Sequence, residues 1–78
     1  MIYRFFHWEV RANNHREFVE RLWLDSLTNT PSVKVWMEEV ADRAFKAYGD
    51  MLRTYNVNVF VSDAIKAGYL RIETSQEN

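Results

Sequence analysis

The opening ten residues, Met-Ile-Tyr-Arg-Phe-Phe-His-Trp-Glu-Val, constrain the fold more than any other stretch. They are aromatic and β-branched enough to read as a strand over residues 2–10. Side chains alternate between the two faces of a strand. One face would hold Ile2, Arg4, Phe6, Trp8 and Val10, the other Tyr3, Phe5, His7 and Glu9. A strand that buries one face should be polar on the second, yet Tyr3 and Phe5 stand there. Either both faces are covered within the domain, or the second face meets a partner.

Little chain is available to cover it. Seventy-eight residues make one small domain, 1–78, with a polar tail over 73–78 expected to fray. Three Trp, four Tyr and five Phe offset the small size by bringing large buried areas per residue. Two Gly and one Pro leave little material for loops. The absence of cysteine excludes a disulfide framework, thiolate chemistry and a Cys-based zinc site. Small domains without such cross-links often gain stability by oligomerising, so a homodimer is expected.

The formal charge of −1 gives no global field to recruit nucleic acid or membrane. No apolar run approaches the roughly 20 residues a membrane span needs. Nor does the N-terminus show a charged segment followed by an apolar one, as a signal peptide would. These features lead us to expect a cytoplasmic protein.

Asn13 and Asn14 turn the chain, and Asn14 followed by Glu17 fits the start of a helix over 15–27. Phe18, Val19, Leu22, Trp23 and Leu27 share one face, which leaves Leu24 outside the stripe. Thr30 as N-cap and Pro31 at the first helical position predict a second helix over about 33–54. Its apolar positions Val33, Trp36, Met37, Val40, Ala44, Tyr48, Met51 and Tyr55 keep helical spacing, with a bend or loosening expected at Gly49. Val57–Val61 alternates and is β-branched, which predicts a second strand. Residues 62–68 then form either one helical turn stopped by Gly68 or an irregular connection. Tyr69–Glu73 reads as a third strand with Leu70 and Ile72 inward.

The expected fold is therefore α+β and two-layered, in the order β-α-α-β-β, with a three-stranded, mainly antiparallel sheet packed on two helices. In that arrangement the far side of the sheet is bare. With the valines of 57–61 turned toward the helices, Tyr3, Phe5, His7, Phe60, Tyr69 and Arg71 would share the open face. An outward Trp23 would extend the contact area. Aromatic enrichment of this kind suits a protein interface. The expectation is a non-enzymatic interaction module, an inhibitor or adaptor that binds a partner protein and self-associates. The alternative is a single-stranded nucleic-acid binder stacking bases on the same face, although the basic excess that dominates such binding is missing.

Catalytic chemistry has little to work with. His7 and Glu9 lie two apart and His15 follows, without a third ligand fixed nearby, so neither a metal site nor a cofactor is expected. No phosphate-binding Gly-rich loop, nucleophile elbow or HExxH motif is present. Glu38, Glu39 and Asp42, interleaved with Lys34, Arg43 and Lys46, read as a solvated helix face.

Overall fold

A computed structural model describes residues 1–25 and 30–73, and resolves the opening segment into a hairpin rather than one strand over 2–10. Strand β1 spans Ile2–Phe5 and β2 spans Trp8–Arg11, joined by the two-residue turn Phe6-His7. Their register pairs Tyr3 with Val10 and Phe5 with Trp8. Two turn residues between paired strands switch the inward parity from odd to even. Aromatics on both parities are thus the signature of a hairpin. Tyr3, Phe5, Trp8 and Val10 share the inner face, and Ile2, Arg4, Glu9 and Arg11 the outer one.

Helix α1 covers His15–Asp25. Asn14 caps it by accepting the Glu17 N–H at 2.8 Å, while the Glu17 carboxylate reaches back to the Asn13 N–H at 2.8 Å. The expected end at Leu27 lies outside the described residues. Helix α2 covers Val33–Tyr48 and starts where expected, although its cap lies two residues beyond the expected Thr30. Ser32 is the N-cap, accepting from the Val35 N–H at 3.2 Å. Gly49 does not bend a longer helix; it ends this one, at φ 77°, with its N–H on the Phe45 carbonyl. Residues 49–56 are a loop instead of the helix expected through 54.

The largest correction concerns Val57–Val61, which begins helix α3, Val57–Lys66. Asn56 caps it through the Val59 N–H at 2.8 Å. Val57, Phe60, Val61 and Ala64 are its buried residues, spaced i, i+3, i+4, i+7. A Val in a helix costs roughly 0.5 kcal/mol, whereas burying it gains about 1.5–3 kcal/mol. Burial wins. Gly68, at φ 88°, closes a Schellman stop in which Tyr69 N–H bonds the Ala64 carbonyl and Gly68 N–H that of Ile65.

Strand β3, Leu70–Glu73, returns to pair antiparallel with β1, so the sheet order is β2-β1-β3. The architecture is α+β, with one antiparallel three-stranded sheet, but the order is β-β-α-α-α-β; α1 and α3 pack against the sheet and α2 packs on α1. Tyr3, Phe18, Val19, Phe60 and Val61 are the largest fully enclosed side chains. Tyr3 stacks on Phe18 with ring centroids 4.4 Å apart. Helix α2 is held more loosely, with only Trp36, Met37 and Ala44 of its 16 residues buried.

Candidate interaction surface

The bare outer face of the sheet is charged, not aromatic. Arg4, in the central strand, hydrogen-bonds Glu9 of β2 at 2.9 Å and forms an ion pair with Glu73 of β3 at 3.1 Å, while Arg71 lies 3.7 Å from Glu73. The predicted aromatic platform is therefore not formed. Tyr3 is 0% and Phe5 3% exposed, because the hairpin turns their parity toward the helices. Phe60 is buried on α3, edge-on to Trp36. Arg71 is exposed on the outer face, where its partner is Glu73. Trp23 is half-buried against the core, its indole N–H donating to the Thr30 hydroxyl at 2.9 Å. Tyr3, Phe5 and Phe60 are so enclosed that they cannot meet a partner without unfolding their own core.

Exposed aromatic surface gathers instead at the hairpin end of the molecule. The turn residue Phe6 is 52% exposed and Trp8 49%. Phe6 stacks on Tyr69 at 5.3 Å, and Tyr69 lies 5.8 Å from Tyr48 at the end of α2. His7 tilts against Trp8 at 4.5 Å. Tyr48, at 66% exposure, has the exposed Phe45 three residues behind it on the same helix face. The result is a ridge running from Phe6 through Tyr69 to Tyr48, with Trp8 beside it through Phe5, whose ring lies 4.7 Å from Phe6 and 6.2 Å from Trp8.

The backbone fixes this ridge. Phe6 N–H donates to the Tyr69 carbonyl at 3.2 Å, extending the β1–β3 ladder into the turn. Gly49 breaks α2 just before Asp50, whose carboxylate accepts the Tyr69 hydroxyl. Desolvation, followed by the hydrogen bond to Asp50 and its charge, pushes the Tyr69 phenol up to about 12. It therefore stays a neutral donor, and the ring is tethered at both ends.

Phe6 has φ 56°, the sole positive φ at a non-glycine among the described residues. A positive φ at the first central residue only is the pattern of a II′ turn, a place ordinarily taken by Gly. A bulky side chain there costs roughly 1–2 kcal/mol. No family model, curated protein or solved structure matches this chain.

Of the residues singled out from sequence, the ridge unites His7 and Tyr69, with Phe5 beneath Phe6 at 4.7 Å. Phe6, Trp8, Phe45 and Tyr48 were not among them. Phe-His in a two-residue turn carries no Gly, Asn or Asp to announce itself.

Other polar groups are accounted for locally. Tyr3 hydroxyl and His15 Nδ1 are 2.9 Å apart, and burial, with a contribution from the Glu17 charge, raises the Tyr3 pKa. Glu38, Glu39 and Asp42 pair along α2 with Lys34, Arg43 and Lys46, as a solvated face does. Among the described residues no three His, Asp or Glu side chains converge on a metal position, and no helix is long and apolar enough to cross a membrane.

Proposed function

We propose that this chain is a small non-enzymatic interaction module, an inhibitor or adaptor that binds a partner protein through the ridge Phe6, Tyr69 and Tyr48 and the Trp8 beside it. The observation that carries the reading is Phe6. Backbone conformation alone favours Gly at φ 56°, yet the chain accepts that strain to present a half-exposed Phe there. Protein interfaces draw most of their binding energy from a few aromatic anchors set in a firm frame. Tyr69, held by Asp50 and the Phe6 N–H, supplies such a frame.

Phe6→Gly separates folding from binding. Relief of the backbone strain offsets the lost Phe6–Tyr69 stacking, itself worth about 0.5–1.5 kcal/mol, so urea unfolding should show no net loss of stability. Capture from lysate of the source cell, comparing wild type with folded Phe6→Gly and Tyr48→Ser, reads the ridge directly. A protein retained by wild type and lost by both variants supports the proposal. A protein retained equally by all three overturns the ridge as its site, and salt-sensitive retention of nucleic acid would favour the alternative reading.

A further inference from the structure

The β2 strand is an edge, and its chemistry selects a second copy of this chain. Ala12 N–H donates to the Met1 carbonyl at 3.1 Å, which fixes the alternation of the β1–β2 ladder. Tyr3/Val10 and Phe5/Trp8 are then the bonded pairs, and Ile2/Arg11 and Arg4/Glu9 the non-bonded ones. The backbone N–H and C=O of Glu9 and Arg11 therefore point away from β1, toward the open edge. Both side chains are exposed on the outer face.

We infer that two copies join antiparallel through β2, with Val10 on the two-fold axis, to give one six-stranded sheet. Three antiparallel registers satisfy the outward groups of Glu9 or Arg11. One sets Glu9 opposite Glu9 of the second copy and another sets Arg11 opposite Arg11, so each opposes like charges. The third sets Glu9 opposite Arg11 of the second copy, twice over by symmetry. Arg11 forms no ion pair among the described residues, and Glu9 uses only Oε1 on Arg4. The same register places the half-exposed Trp8 opposite the small Ala12 of the second copy, large against small on the inner face. Strand β3 offers no equivalent, since Arg71 and Glu73 already face each other and Glu73 also holds Arg4. The inference is independent of what the aromatic ridge binds.

Charge exchange tests it by sedimentation velocity of the full chain. Arg11→Glu and Glu9→Arg each bring like charges together at both symmetric pairs, and each should weaken the dimer about tenfold or more. Mixing the two variants restores complementarity, so a one-to-one heterodimer should recover wild-type affinity. Glu9→Arg also removes the Arg4 partner, so a second route is needed in case it does not fold. Val10→Cys introduces the chain's single thiol at a non-bonded cross-strand pair about 4.5 Å apart between Cα atoms. Its disulfide dimer should form about tenfold faster than that of Arg71→Cys at equal concentration. A wild type that stays monomeric at millimolar concentration, an Arg11→Glu dimer as tight as wild type, folded charge variants that do not recombine, or equal crosslinking rates would each overturn the inference. A Phe6→Gly protein should dimerise normally, which keeps this outcome separate from that of the ridge.

Discussion

Arg53 grips Asp63 in three places: its backbone N–H and Nε both reach Oδ2 at 2.9 Å, and Nη2 reaches Oδ1 at 2.8 Å. The contact ties the 49–56 loop to α3. The hydrogen bonds from the Arg53 side chain and backbone hold the Asp63 carboxyl down at about 2, and they outweigh the opposing effect of its burial. A carboxylate with a depressed native pKa stabilises the fold above its unfolded value, about 3.9, and loses that contribution as pH falls through the native value. Wild type should lose melting temperature more steeply than Asp63→Asn between pH 4 and 2. Parallel curves from differential scanning calorimetry would show that the contact adds nothing. Residue-level roles were the least legible from sequence: Tyr3, Phe5 and Phe60 stand out by composition, but composition does not say which way a side chain points.

At the scale of elements, caps are what make boundaries readable. Asn14 before Glu17 announced α1, and the periodicity from Val33 announced α2. Two boundaries were missed for physical reasons. The opening hairpin turns on Phe-His, which lacks the usual turn residues. Val57–Val61 satisfies both a period of two and a period of 3.6, and its short length cannot separate them. Asn56, read as a cap, would have decided the second case. Two substitutions probe these ends by urea unfolding. Gly49→Ala meets no atom within 4 Å, so its cost is that of the left-handed backbone alone, about 1 kcal/mol. Asn56→Ala loses the α3 cap, at about 1 kcal/mol. A neutral Gly49→Ala would mean that α2 continues past Tyr48 in solution.

For the whole molecule, the layered α+β arrangement was legible, but the surface it leaves open was not. A three-stranded sheet with helices on one side must have a bare side, and the residues that fill it follow from the hairpin parity. Arg4, Glu9, Arg71 and Glu73 make that side a cross-strand charge lattice, while the aromatics left over collect at the hairpin end. The central strand has one further consequence. Its β2 edge is closed by a two-residue turn, but its other edge waits for β3, about 65 residues further along the chain. Bringing distant segments together slows folding more than it affects equilibrium stability. Ile2 and Glu73 are paired neighbours, so a short linker can join them and new ends can open between Thr54 and Tyr55. Such a circular permutant makes all three strands consecutive. In stopped-flow refolding it should fold faster than the natural order and unfold at a similar urea midpoint. An unchanged rate would mean that docking of the helices, rather than closure of the sheet, is the slow step.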